Sequence, residues 1–165
     1  SVISNNIISG SMQFISTSGN LQIVNNVLTY NSVAVSAYNA SIANNIITGS
    51  NGSIQVNTGN AINNNILAGA GTDANGNKYN VAMANVFADF TGSLNYSDDA
   101  KWKLKPGSPA IGAGVSGVDC GAFGGPTPYV LSGVPNLPHI YEATIPGTAY
   151  SNLGLACTIK IKSGK

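Results

Sequence analysis

Short apolar pairs recur along the first half of the chain, each placed directly after an Asn-Asn dipeptide. The copies are Asn5-Asn6-Ile7-Ile8, Asn25-Asn26-Val27-Leu28, Asn44-Asn45-Ile46-Ile47 and Asn64-Asn65-Ile66-Leu67, with a weaker copy at Ala84-Asn85-Val86-Phe87. The second asparagine lies at 6, 26, 45, 65 and 85, so the steps are 20, 19, 20 and 20 residues. A fixed period of this length indicates a repeat architecture.

A second apolar pattern follows the first and alternates with small or polar residues. Met12, Phe14, Val33, Val35, Ile54 and Val56 carry it when Ser11–Phe14 is aligned with Ser32–Val35 and Ser53–Val56. Alternation with period two is typical of a strand with one buried face. The alignment predicts that Gln13, Ala34 and Gln55 point outward.

Each period therefore predicts two or three short strands joined by turns rich in Asn, Gly and Ser. Strands that repeat every 20 residues can stack coil on coil, each pairing in parallel with its equivalent in the next coil. Asparagine tolerates the left-handed backbone of a sharp turn, and its amide can donate and accept along a stacked ladder. The sequence thus predicts an all-β parallel β-helix of about five coils, with both apolar columns after the asparagines stacked inside.

The repeat resembles the right-handed parallel β-helix proteins of the pectin-lyase-like superfamily. The segments Leu104–Gly114 and Asp119–Gly125 resemble the final-coil motif of bacterial secreted β-helix repeat proteins. The resemblance implies a secreted or cell-surface protein that binds or processes polysaccharide. Because the superfamily also contains adhesins and proteins of no known activity, two alternatives stay open: a non-enzymatic surface scaffold or adhesin, and a glycan-cleaving enzyme.

Two regions are predicted, with β-helix coils over 1–125 and an extended, proline-punctuated tail over 126–165 that caps the helix. Cys157, Ile159 and Ile161 alternate with polar residues, which predicts an amphipathic strand whose isoleucines are buried against the last coil. Ser1–Ser4 aligns with Leu21–Val24, so we also expect further coils of the same protein N-terminal to Ser1.

The charge balance narrows the classes of partner. Only 8% of the residues are charged, no arginine is present, and the formal net charge is +1. Binding to nucleic acid through a basic surface is therefore not expected. No apolar run approaches the roughly 18 residues of a membrane-spanning helix, so no transmembrane segment is expected.

Candidate chemistry is sparse. For acid–base catalysis the candidates are the carboxylates Asp89, Asp98 and Asp99, and the alternative is that they hydrogen-bond turn backbones. For glycan binding the candidates are Gln13, Gln55, Asn57 and Tyr38. Asp73, Asn75 and Asn77 match the opening of a calcium loop, although a turn held by Asx side chains is the alternative. No ionisable residue is expected on the outward face of the second pattern, so no complete catalytic site and no cofactor other than calcium are predicted.

Cys120 and Cys157 leave two options open, a disulfide that ties the tail to the last coil or two separate thiols. His139 is the sole histidine. One histidine with these two cysteines does not make a zinc site at these spacings, so packing or a surface position is expected for it.

Overall fold

The computed structural model describes residues 1–14, 20–94, 96–131, 139–145 and 157–162. The chain divides into two compact units, Ser1–Tyr129 and Val130–Lys165. Within the described residues, no helix has the length and apolar character needed to cross a bilayer.

The described part of the first unit is built from short strands in three parallel sheets. In chain order the strands are β1 (Val2–Ser4), β2 (Ile7–Ile8), β3 (Met12–Gln13), β4 (Leu21–Val24), β5 (Val27–Leu28), β6 (Val33–Ser36), β7 (Ala40–Ala43), β8 (Ile46–Ile47), β9 (Ser53–Gln55), β10 (Ala61–Asn63) and β11 (Ile66–Leu67). The sheets are ordered β1-β4-β7-β10, β2-β5-β8-β11 and β3-β6-β9. Each strand pairs with the strand three places later in the chain. The chain therefore forms a parallel β-solenoid of about three turns.

Asparagine makes the corner between the first two sheets, as its backbone preference predicts. The first asparagine of each pair is left-handed, with φ of 57° at Asn5, 55° at Asn25, 58° at Asn44 and 55° at Asn64. An amide side chain tolerates this conformation better than most other side chains. Each corner therefore turns the chain between two strands with a single residue.

The second asparagine of each pair forms the predicted ladder. The side-chain oxygen of Asn26 accepts from the backbone N–H and the Nδ2 of Asn6, both at 3.0 Å. Asn45 accepts in the same way from Asn26, and Asn65 from Asn45, at 2.9 to 3.0 Å. Asn26, Asn45 and Asn65 are fully buried, so these hydrogen bonds satisfy amides inside the protein.

The fifth rung of the ladder is Asn77, and not Asn85, the asparagine that continues the period of the repeat. The Oδ1 of Asn77 accepts from the backbone N–H and Nδ2 of Asn65 at 3.0 and 2.9 Å. Asn85 is exposed and ends a 3₁₀ helix, Met83–Asn85. After β11 the chain returns sooner than the period predicts, because a tight turn pairs Ala74 with Asn77 and brings Lys78 beside Ile66.

The apolar pairs after the asparagines divide between two cores. Leu28, Ile47 and Leu67 lie in the core inside the solenoid, whereas Val27, Ile46 and Ile66 pack in a second core. The expectation that both columns stack inside is therefore wrong. Neighbouring residues of a strand point to opposite faces, so a sheet with two adjacent apolar columns needs cover on both faces.

Residues 81–129 provide the cover for the second core. Its buried members from this region are Met83, Val86, Phe87, Ala110, Cys120 and Ala122, and Trp102 and Leu104 pack against it partly buried. Trp102 and Leu104 therefore lie at the edge of this core. The described residues of this region, 81–94 and 96–129, add no strand to the three sheets.

Residues 110–125, here called the strap, run back across the coils along the first asparagine of each pair. Asn64 donates to the carbonyl of Ala113 at 2.9 Å, and Asn25 donates to that of Asp119 at 2.9 Å. Asn5, in the first coil, donates to the carbonyls of Ala122 and Gly124. The strap includes much of the segment that resembles a final-coil motif. It runs across earlier coils, from the fourth coil to the first.

In the second unit, β12 (His139–Thr144) and β13 (Thr158–Lys162) form an antiparallel pair. Lys160 and Glu142 form an ion pair across them at 2.8 Å. The amphipathic C-terminal strand is thus observed, but Ile159 and Ile161 are 54% and 60% exposed. Their expected burial is wrong, and the capping role of 126–165 stays a prediction.

Candidate functional site

The outward face of the third sheet carries predicted binding residues. In β6 the observed pairing is shifted by two residues from the one that the sequence alignment predicted. Gln13 pairs with Ser36, which pairs with Gln55, so Ser36 occupies the outward position that the alignment gave to Ala34. Ala34 is fully buried. Two shifts of one residue produce this difference. Val33, which the alignment matched with Ile54, pairs with Ser53, and a β-bulge then leaves Ala34 as an extra residue before Val35 pairs with Ile54.

A small groove of about 190 Å³ lies on this face. Gln13, Phe14, Ser36, Tyr38 and Gln55 line it. The hydroxyl of Ser36 donates to the Oε1 of Gln55 at 2.8 Å. Three of the four predicted binding residues therefore share one groove.

The fourth predicted residue, Asn57, lies beside the groove and supports it. Its Nδ2 donates to the Ser36 hydroxyl at 3.3 Å and to the carbonyl of Ala37 at 3.0 Å. The neighbouring Val56 is 84% exposed, although the alternation placed it inside. β9 ends at Gln55, so the strand alternation does not extend to Val56.

A second groove, which the sequence did not predict, has a volume of about 570 Å³. Its lining residues follow the strands of the second sheet on one side and belong to 80–90 on the other: Thr29, Asn31, Thr48, Gly49, Ser50, Ala68, Asn80, Val81, Ala82, Met83 and Phe90. None of them is charged. Thr29, Thr48 and Ala68 stack along the solenoid axis, because their N–H groups donate to Ile8, Leu28 and Ile47 of the preceding coils at 2.9 Å.

Phe90 is the aromatic residue of this groove and is held by other rings. It lies 6.3 Å from Phe87 in a stacked arrangement and 6.3 Å from Trp102 edge to face. Phe90 is 37% exposed, whereas Phe87 is buried. The spacing of Phe87, Phe90 and Trp102 has no strand period, so only the folded chain brings these rings together.

Two asparagines of the groove have side chains fixed by neighbours. The Oδ1 of Asn31 accepts from the N–H of Asn51 at 2.8 Å and from the hydroxyl of Ser50 at 3.3 Å. The Nδ2 of Asn80 donates to the carbonyl of Gly71 at 3.1 Å. One end of each amide is therefore oriented by a hydrogen bond. The other end, Nδ2 of Asn31 and Oδ1 of Asn80, has no hydrogen bond to any described residue.

The candidate carboxylates hold turns and a helix end. Asp89 is buried and accepts from the N–H of Leu94 at 3.1 Å and of Tyr96 at 3.4 Å. Asp99 caps a 3₁₀ helix, Ala100–Trp102, by accepting from the N–H of Ala100 at 2.9 Å. Asp98 is exposed and pairs with Lys101 at 3.3 Å.

The candidate calcium residues take part in the turn that ends the ladder. The Oδ1 of Asp73 accepts from the N–H of Tyr79 at 2.8 Å, and Asn75 is left-handed with φ of 52°. Asn77 is the last rung and accepts two hydrogen bonds from Asn65. Among the described residues, no three His, Cys, Asp or Glu side chains form a group that could hold a metal ion.

Both cysteines are free thiols, and only Cys157 is exposed. Burial raises the pKa of Cys120 to about 12, and the charge of nearby Lys78 opposes part of this shift. The Sγ of Cys120 donates to the carbonyl of Asn64 at 3.3 Å. This thiol therefore stays protonated near neutral pH and is a poor nucleophile. The side chain of His139 lies outside the described residues.

No protein-family model matches the chain, and neither a curated protein nor a solved structure matches it. The grooves and hydrogen bonds of the chain itself therefore carry the functional inference.

Proposed function

We propose that the chain is a structural, glycan-binding part of a secreted or cell-surface β-helix protein, without a complete catalytic site of its own. The proposal includes the right-handed coil of the pectin-lyase-like superfamily. The observation that carries it is the uncharged groove beside Phe90. At about 570 Å³ this groove has the size of a ligand site, whereas the groove of about 190 Å³ on the third sheet is smaller than most such sites.

The lining supports a polyhydroxylated ligand. The hydroxyls of Thr29, Thr48 and Ser50 can accept hydrogen bonds, while those of Thr29 and Ser50 donate to Ile8 and Asn31. The fixed amides of Asn31 and Asn80 add one donor end and one acceptor end. The exposed ring of Phe90 offers an apolar face on which the C–H face of a sugar ring can stack. An aromatic wall with a few oriented polar groups is typical of sites that fix a small ligand.

The absence of charge from the lining selects neutral glycans. A uronate carboxylate would lose hydration in the groove without a cationic partner from the lining residues. Neutral oligosaccharides carry no such cost. We therefore expect neutral glycans to bind more tightly than oligogalacturonates of the same length.

The test is a calorimetric and ¹⁵N NMR titration of the chain with neutral gluco-, xylo- and manno-oligosaccharides and with oligogalacturonates. We expect a neutral glycan to shift the amide signals of Thr48, Asn80 and Phe90. Phe90→Leu keeps an apolar side chain against Trp102 and should weaken binding at least about tenfold, a difference of about 1.4 kcal/mol.

Tyr38→Leu is the matched control, because it removes an aromatic ring from the smaller groove. Unchanged binding in this variant and weaker binding in Phe90→Leu support the assignment. The reverse result moves the site to the third sheet, and failure of every glycan to bind overturns the proposed function. Thermal melting of both variants distinguishes lost binding from lost folding.

A further inference from the structure

The asparagine ladder is closed at one end and lacks a donor at the other. In each inner rung the Oδ1 accepts two hydrogen bonds from the asparagine of the preceding coil, as Asn26 does from Asn6. Asn6 itself is exposed, and no described residue donates to its Oδ1. The first rung therefore presents the acceptor that every later rung uses to hold the coil before it.

The last rung, Asn77, has its donors satisfied within its own turn and the coil before it. Its N–H and one Nδ2 hydrogen donate to the carbonyl of Ala74 at 2.9 and 2.8 Å, and the other Nδ2 hydrogen donates to that of Ile62 at 2.9 Å. The side chain of Asn65 also donates to two carbonyls, so the difference lies in the backbone: the N–H of each earlier rung donates to the next asparagine, whereas that of Asn77 donates to Ala74. Asn77 thus ends the ladder, because the backbone N–H that an Asn6 of a second copy would need is already bonded to Ala74.

Burial shows the same asymmetry along the axis. Ile8 in the first coil is half-buried, whereas Leu28, Ile47 and Leu67 of the same column are fully buried. In the neighbouring column Ile7 is half-buried, and Ile66 in the fourth coil is fully buried. The core is covered at the Asn77 end and only partly covered at the Asn6 end.

The backbone at the Asn6 end offers two N–H groups to an added strand. Val27 and Thr29 donate their N–H groups to the carbonyls of Asn6 and Ile8. Ile7 and Ser9 occupy the equivalent positions one coil earlier, and β2 is the edge strand of its sheet. A further coil of the repeat, paired in parallel as β2, β5 and β8 are, would present its carbonyls to these two N–H groups.

We propose that the Asn6 end is a docking edge for one further parallel coil, whose own asparagine donates its N–H and Nδ2 to the Oδ1 of Asn6. The occupant is a coil of the same repeat, joined to the chain at Ser1. A second copy stacked head to tail is disfavoured because the backbone N–H of Asn77 is bonded to Ala74 and so cannot donate to the Asn6 of that copy. The inference does not depend on glycan binding.

The chain itself supplies the coil for the test. Ser1 occupies the register position of Leu21 and Ala40, because Val2 pairs with Gln22 and Leu21 with Ala40. A copy of residues 21–39 fused directly before Ser1 therefore reproduces the junction that residue 39 makes with Ala40. The matched control carries Asn26→Leu in the copied coil only, which keeps its length and its apolar residues.

Amide hydrogen exchange of Ile7 and Ser9 is the main readout, with thermal melting beside it. In the fusion we expect exchange of the Ile7 N–H to slow at least about tenfold and the melting temperature to rise. In the control most of this protection should be absent. Unchanged Ile7 exchange in the fusion, or equal protection in the control, would overturn the proposal.

The unfused chain provides the remaining comparison. Sedimentation should show a monomer whose Ile7 N–H exchanges quickly. Dimers with a protected Ile7 N–H would contradict the proposal, because a second copy would then occupy the edge. Glycan titration of the fusion separates this result from the proposed function, since the groove beside Phe90 belongs to other coils.

Discussion

The side-chain oxygen of Asn45 accepts hydrogen bonds from both the backbone N–H and the side-chain amide of Asn26, at 2.9 and 3.0 Å. The Nδ2 of Asn45 in turn donates to the carbonyl of Ile23 and to Asn65. One buried amide thus connects three coils. A coil shifted out of register would lose these hydrogen bonds and leave buried polar groups without partners. The ladder therefore fixes the register of the coils as well as stabilising them.

The ladder predicts that Asn77 contributes to stability and that Asn85 does not. Asn77→Leu removes the acceptor of two hydrogen bonds and leaves the buried backbone N–H of Asn65 unpaired, while the Nδ2 of Asn65 keeps the carbonyls of Ile42 and Asn63. We expect the free energy of unfolding to fall by about 2–4 kcal/mol, measured by urea denaturation. Asn85→Leu is the matched control and should change it by less than about 0.5 kcal/mol, because Asn85 is exposed. Equal losses in both variants would contradict the assignment of the fifth rung.

The features that the sequence predicted are those set by local chemistry. The period located the asparagine corners, and the conformational preference of asparagine predicted the left-handed Asn5, Asn25, Asn44 and Asn64. The amide's double role as donor and acceptor predicted the ladder. These properties belong to single residues and to their spacing, so they can be read before the chain folds.

The features that the sequence missed depend on contacts between distant segments. The bulge at Ala34 shifts the register of one strand without changing its apolar pattern, so the alignment could not show it. The second core needs the strap and residues 81–104, which have no repeat. The groove beside Phe90 forms where residues 80–90 meet the coils, and therefore no periodic signal marks it.

The strap requires glycine where it approaches the coils. Gly121 has φ of 86°, and a Cβ there would lie 2.6 Å from the Cδ1 of Ile46. Gly121→Ala should therefore combine backbone strain with overpacking, a loss of about 3 kcal/mol of unfolding free energy. Gly107 has φ of 75°, and a Cβ added there would meet no atom within 4 Å, so Gly107→Ala should cost only the strain. That strain is about 1 kcal/mol. Equal losses would show that the strap does not press on Ile46.

The buried thiol of Cys120 predicts a loss of stability at high pH. Its pKa is raised from 9.0 to about 12 in the folded chain, because burial disfavours the thiolate. Above pH 9 the unfolded chain releases this proton while the folded chain retains it, so unfolding becomes more favourable as the pH rises toward 12. The expected contribution is about 1.4 kcal/mol per pH unit in this interval.

Cys120→Ala separates this effect from other groups that titrate at high pH. The difference in unfolding free energy between the variant and the parent chain should be constant below pH 9 and should change between pH 9 and 12. In the folded parent chain, a thiol reagent at about pH 8 should modify Cys157 quickly and Cys120 slowly, since only Cys157 is exposed. Rapid modification of both thiols, or a difference that does not vary with pH, would contradict the burial of Cys120.

The carboxylates predict that this chain alone cleaves no polysaccharide at a measurable rate. Asp89 accepts hydrogen bonds from Leu94 and Tyr96, and Asp99 caps a helix, so both stabilise the backbone around them. Asp89→Asn should therefore lower the melting temperature without changing the products released from pectins, alginates, glycosaminoglycans and neutral glycans. Asp98→Asn should change neither, because its carboxylate is exposed and an exposed ion pair contributes little. Product release by the parent chain that disappears in Asp89→Asn or Asp99→Asn, with melting unchanged, would instead identify these carboxylates as a catalytic pair.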